Sequence, residues 1–165
     1  MKNSLLSWVQ RALASVFFLG YVPFISGTFG SAACVFALWW TCCRTHMAVS
    51  PLWLWAVALA VTAFSIIVAS RPREVFGSDD PRQVVIDEVA GQLVTFLFIP
   101  LSLKTLILGF FLFRFFDVVK PYPIHKFEAL DGGLGITMDD VAAGVFANIT
   151  LIAILWGYHA VKALL

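Results

Sequence analysis

The sequence predicts an all-α integral membrane protein, a bundle of about four to six helices, each needing roughly 20 apolar residues to cross about 30 Å of hydrocarbon. Composition is the first reason. Of 165 residues 61% are hydrophobic and only 13% charged, with a mean hydropathy of +0.91, whereas soluble domains are about 45–50% apolar and 25% charged. The second reason is that the apolar residues fall into helix-length runs separated by short polar clusters. Third, no Pro/Gly/Ser-rich linker, repeat or low-complexity tract divides the chain, so residues 1–165 read as one domain. A net charge of +1 leaves no basic surface to follow a phosphate backbone and excludes nucleic acid as a partner.

Taken in order, Leu5 to Phe24 is apolar but broken by Gln10 and Arg11, the pattern of a helix lying in the interface or against the bundle. It is not a signal peptide. "SAAC" before Cys34 is not a lipoprotein site either, because the usual Leu three places before the Cys is missing. Spans are expected over Phe29 to Cys43, Pro51 to Ala69 and Val141 to His159. Between the last two, Val89 to Pro100 and Leu103 to Val119 form a hairpin whose short halves predict an incomplete crossing. Cys34, Cys42 and Cys43 lack zinc or disulfide spacing and read as small packing residues.

Following the ends of these helices places the polar groups together. The "GTFGS" stretch, the loop with Arg71, Arg73 and Arg82, the acids Asp87 and Glu88, the set Arg114, Asp117 and Lys120, and the pair Asp139 and Asp140 all fall at one face. Six Lys and Arg (with Lys126) stand there against Arg44, Lys104 and Lys162 opposite. The excess predicts that this face is cytoplasmic.

Carboxylates at a membrane boundary are functional candidates, because an unpaired charge there costs at least a few kcal/mol. Asp87-Glu88 and Asp139-Asp140 each open an apolar helix, and Gly91 and Gly144 follow by about one turn, which permits close helix packing. Four carboxylates brought together in this way call for a hard divalent cation such as Mg²⁺. Arg114, Asp117 and Lys120, spaced i, i+3 and i+6, occupy one helix stripe. They read either as a salt-bridge ladder or as a phosphate clamp with Asp117 as a further metal ligand. "SGTFGS" and "DGGLGITMDD" are expected as small-residue loops before helices, where Thr28, Gly30 and Ser31 present hydroxyls and N–H groups to an anion. His125 reads as a surface histidine rather than a proton carrier, and His46 and His159 fall on the far side.

Four ordered motifs then resemble the phosphatidylglycerophosphatase A family. They are Ser26 to Ser31, Ile86-Asp87-Glu88 with Gly91, Phe113-Arg114 through Asp117 to Lys120-Pro121, and Gly132-Gly133 through Asp139-Asp140 to Gly144. The family usually has Pro where Ser26 stands. The resemblance implies a helical bundle with a central helix in the bacterial inner membrane, and a Mg²⁺-dependent phosphatase converting phosphatidylglycerophosphate to phosphatidylglycerol and phosphate. It carries catalytic and metal-binding roles to Asp87, Glu88, Asp117, Asp139 and Asp140, and substrate binding to Thr28, Gly30, Ser31, Arg114 and Lys120. Two rivals are weaker. A CDP-alcohol phosphotransferase needs Ala-Arg where Gly135-Ile136 stands and a final Asp where Ala143 stands. A divalent-cation carrier is disfavoured by Arg114 and Lys120, which would repel its cargo.

Overall fold

The computed structural model describes residues 5–23, 25–44, 49–79 and 81–164. His46 and most of the turn between Arg44 and Ser50 lie outside them, as does the side chain of Cys43. The described residues form seven α-helices and short 3-10 and π turns, with no strand among them. The helices are α1 (Leu5–Ala14), α2 (Ser26–Trp39), α3 (Pro51–Val68), α4 (Pro72–Phe76), α5 (Ile86–Thr95), α6 (Leu103–Val119) and α7 (Gly133–Leu164).

Local chemistry sets several of these boundaries. Ser50 caps α3 by accepting from the Trp53 N–H at 3.1 Å, and Pro51 occupies the first turn, where its missing N–H costs nothing. Ser102 and Thr105 form a reciprocal capping box that starts α6. Lys120 ends α6 in a left-handed conformation at φ 44°, immediately before Pro121. The carboxyl end of α5 stops inside the bundle, where free carbonyls need donors. Asn148 of α7 supplies them, its Nδ2 donating to the Thr95 and Leu97 carbonyls at 2.9 and 2.7 Å.

Helix α5 is the central element, packed on α2, α3, α6 and α7. Its lower half carries Leu93 and Phe96 into an apolar core with Leu54 and Ala58 of α3, Leu106 of α6 and Leu151 of α7. Gly109 leaves the space that the fully buried Phe96 ring fills. Helix α1 packs on α3 and α4, as expected of the interrupted N-terminal stretch. Gln10 donates to the Val68 carbonyl at 3.1 Å, Arg11 donates twice to that of Val75, and the Val85 N–H bonds the Ala14 carbonyl at 3.0 Å.

The structure departs from the sequence expectations in two ways. Among the described residues only α3 and α7 are long and apolar enough to cross a membrane, where three spans beside the hairpin were expected. The hairpin is short as expected, since α5 ends at Thr95 after ten residues. "SGTFGS" is the start of α2 itself rather than a loop before it, and α7 begins at Gly133, so Asp139 and Asp140 sit nearly two turns inside it.

Candidate active site

The amino ends of α2, α5 and α7 and the carboxyl ends of α3 and α6 surround a cavity of about 1230 Å³. Asp87 and Glu88 enter it from the first turn of α5, where the free N–H groups favour negative charge. Asp139 and Asp140 reach it from α7 because α5 and α7 touch backbone to backbone. A side chain at Gly144 would strike the Gly91 carbonyl, and one at Gly91 would strike the Asp140 carbonyl and the Phe113 ring. Gly27 does the same for α2, since any side chain there would run into the Glu88 carboxylate and the Arg114 guanidinium. The Ser26 hydroxyl donates to the Arg82 carbonyl at 2.7 Å and fastens α2 to the cavity rim.

One oxygen from each of Asp87, Glu88 and Asp140 lies within 4.8 Å of the others. Asp87 and Asp140 are buried. The other two acids singled out from sequence are held by cations. Asp117 pairs with Arg114 at 2.7 Å, and Asp139 pairs with Lys120 at 2.6 Å. Lys120 also reaches Glu128 at 2.6 Å, across the turn that follows α6. Glu88 Oε2 and Asp139 Oδ1 are buried without hydrogen-bond partners among the described residues.

Asp87 and Glu88 precede the apolar run that starts at Val89, and burial governs their proton affinity. Desolvation pushes the Asp87 carboxyl up to about 6, against hydrogen bonds from Glu88 that favour its ionised form. Glu88 is also raised well above its ordinary range, by burial first and then by the neighbouring Asp87 charge. For Lys120 burial acts against the ammonium, yet its bonds to Asp139 and Glu128 prevail and hold it above its ordinary range.

The structure thus brings together eight of the ten residues singled out from sequence: Thr28, Asp87, Glu88, Arg114, Asp117, Lys120, Asp139 and Asp140 line one cavity. Gly30 and Ser31 do not. Because their stretch is helical, Gly30 packs against Val85, and the fully buried Ser31 hydroxyl donates to the Gly27 carbonyl of its own helix at 2.9 Å. The anion-binding reading of these two residues is corrected accordingly. The salt-bridge ladder is half right, since Arg114 pairs with Asp117 while Lys120 turns to Asp139. His125 is exposed beside the Tyr122 ring, outside the cavity lining. Sequence reasoning missed Glu128. Its separation from Lys120 by a Pro-containing turn matches no helical spacing, and only the fold brings the two together.

Clustered carboxylates beside a guanidinium and an ammonium, at one end of a helical bundle, are the equipment of an enzyme that handles phosphoryl groups. The chain belongs to the phosphatidylglycerophosphatase A family of phosphatases, whose sequence model matches residues 12–155. It is 33% identical over 153 residues to a Bacteroides thetaiotaomicron protein named as a candidate phosphatidylinositol-3-phosphatase, covering 91% of this chain and 96% of that one. A phosphatidylglycerophosphatase A of Escherichia coli is 30% identical over 138 residues, 82% of this chain and 77% of that protein. One of Haemophilus influenzae is 44% identical over 80 residues, 47% of this chain and 49% of that protein. No solved structure matches the chain.

Proposed function

We propose that this protein is a Mg²⁺-dependent lipid phosphatase that hydrolyses the terminal phosphomonoester of phosphatidylglycerophosphate at the cytoplasmic face of the bacterial inner membrane. The observation that carries the reading is the convergence of Asp87, Glu88 and Asp140 within 4.8 Å, beside Arg114 and Lys120. The donors fit a hard cation: all are carboxylate oxygens, and Glu88 Oε2 is buried with no proton donor to satisfy it. Asp87, Glu88 and Asp140 would hold the ion, with Asp117 and Asp139 as further candidates. When bound, Mg²⁺ supplies positive charge to the phosphoryl oxygens and lowers the pKa of a coordinated water.

The chain's own residues do the rest. Arg114, steadied by Asp117, offers a planar fork to two phosphate oxygens, and Lys120 offers a point charge. The Thr28 hydroxyl lies in the first turn of α2, where it and the free N–H groups orient the third oxygen. Water attacks phosphorus in line, the bond from phosphorus to the glycerol oxygen breaks, and the alcohol leaves with a proton from solvent. Exposed apolar faces on α3 and α7, including Leu59, Ile67, Ile149 and Trp156, are suited to lipid, so the acyl chains stay in the bilayer while the headgroup enters the cavity.

Phosphate release by the purified protein in detergent tests this. Phosphatidylglycerophosphate is expected to be hydrolysed with Mg²⁺ and not with EDTA, and Asp87→Asn and Asp140→Asn are each expected to lose at least about a hundredfold in kcat, as for removal of a group that stabilises the transition state. Wild-type turnover and Mg²⁺ dependence in both variants would sink the site. Hydrolysis of phosphatidylinositol 3-phosphate in preference, which the name of the Bacteroides relative makes worth measuring, would keep the site and change the headgroup.

A further inference from the structure

Gln92 stands in the apolar core of α5 with no exposure, and neither its Nε2 nor its Oε1 has a hydrogen-bond partner among the described residues. Folded proteins seldom bury an amide in this way, because both dipoles lose their water without recompense. Its neighbours along the helix, Leu93 and Phe96, are apolar, and leucine or methionine at position 92 would avoid the cost. Gln92 follows Glu88 by four residues, which puts the two on one face of α5 a single turn apart. Glu88 Oε2 is the other buried side-chain polar atom of that helix without a partner among the described residues. An ionised carboxylate can only accept hydrogen bonds, and an amide both donates and accepts. A single water between them would satisfy both, donating a hydrogen to Glu88 Oε2 and accepting one from Gln92 Nε2.

We propose that Gln92 is a positioning residue that holds, through a buried water, the Glu88 carboxylate in the orientation the cation site needs. The proposal rests on the reading of Asp87, Glu88 and Asp140 as cation ligands. Glu88 needs such a tether because Asp87 and Asp140 crowd its carboxylate and Gly27 and Arg114 close off its other side, so the orientation of Oε2 is left to the groups behind it. Groups behind a metal's ligands commonly change metal affinity by about 10–100-fold when removed.

The experiment uses the full chain in detergent and Gln92→Met, which keeps the volume and removes both polar atoms. Mn²⁺ binding, titrated by electron paramagnetic resonance without substrate, is expected to weaken about tenfold. The melting temperature should be unchanged or higher, and kcat for lipid phosphate release should fall with KM unchanged. A crystal structure of the wild type should show ordered solvent within hydrogen-bond distance of Glu88 and Gln92. Wild-type Mn²⁺ affinity in Gln92→Met, or a wild-type structure in which the amide bonds elsewhere, would overturn the proposal. Equal losses of Mn²⁺ affinity and thermal stability would overturn it too, by making Gln92 merely structural. A wild type that binds Mn²⁺ in a Gln92-dependent manner yet releases no phosphate would leave the proposal standing and refute the activity.

Discussion

At Asp87 burial and charge conflict most directly, and the conflict has a measurable consequence. Its carboxyl is held at about 6 by desolvation, whereas an unfolded aspartate titrates near 3.9. Between those values the folded protein keeps a proton that the unfolded chain has released, so unfolding sheds protons and stability falls as pH rises. In EDTA the melting temperature in detergent is therefore expected to drop between about pH 4 and pH 6, by an amount equivalent to a few kcal/mol. With Mg²⁺ present the carboxylate is compensated and the drop should largely vanish. Stability that rises over that window in EDTA would show that Asp87 is stabilised as the anion by something other than a cation. The identity of Asp87 and Glu88 as boundary acids was legible because they sit at the start of a long apolar run. The pairing of Asp139 with Lys120 was not, since the sequence grouped all the acids alike and only the turn after α6 aims the lysine at one of them.

Between elements, the decisive contact is that of α5 with α7. Gly91 and Gly144 let the two backbones meet, and that approach sets Asp140 beside Asp87 and Glu88. Gly144→Ala is expected to force the helices apart at a cost of about 1–3 kcal/mol, as for other overpacked interiors. Turnover should fall at least tenfold, because ligands displaced by as little as 1 Å lose their geometry. Gly157→Ala, on the same helix with nothing near its added methyl, is the control and should leave activity unchanged and the melting temperature unchanged or slightly higher. A Gly144→Ala protein as stable and active as the control would mean that the α5–α7 spacing does not set the site. The role of these glycines was readable from their one-turn offset after each acid pair. The start of α7 was not, because "GGLGITM" has weak helix propensity. Tertiary contacts override it: Gly133 fits against the Ile66 carbonyl, Gly135 against that of Leu130, and Thr137 shares a 2.7 Å hydrogen bond with Ser65.

For the whole molecule, the shared end of five helices makes orientation a single question. Runs of hydrophobic residues were enough to identify every helix but the short α4, which was read as part of a loop, and following their ends placed every charged cluster of the site on one side. The extent of burial was harder to read, because α5 is short, capped by Asn148 and enclosed by four helices rather than by lipid. A periodicity argument cannot tell a protein-enclosed apolar helix from a lipid-enclosed one. The excess of six basic residues on the cavity side over three opposite is the basis for the proposed cytoplasmic orientation of that side. Single cysteines at Ser78, on the cavity side, and at Ser50, at the far end of α3, report the orientation in a background lacking Cys34, Cys42 and Cys43. Both positions are exposed, so an impermeant thiol reagent added to intact cells should label the cysteine at 50 and reach that at 78 only after the membrane is opened. The reverse pattern would turn the molecule over and put the acids on the outer side of the membrane, away from lipid made on the cytoplasmic leaflet. Labelling of both in intact cells would mean that α3 does not cross.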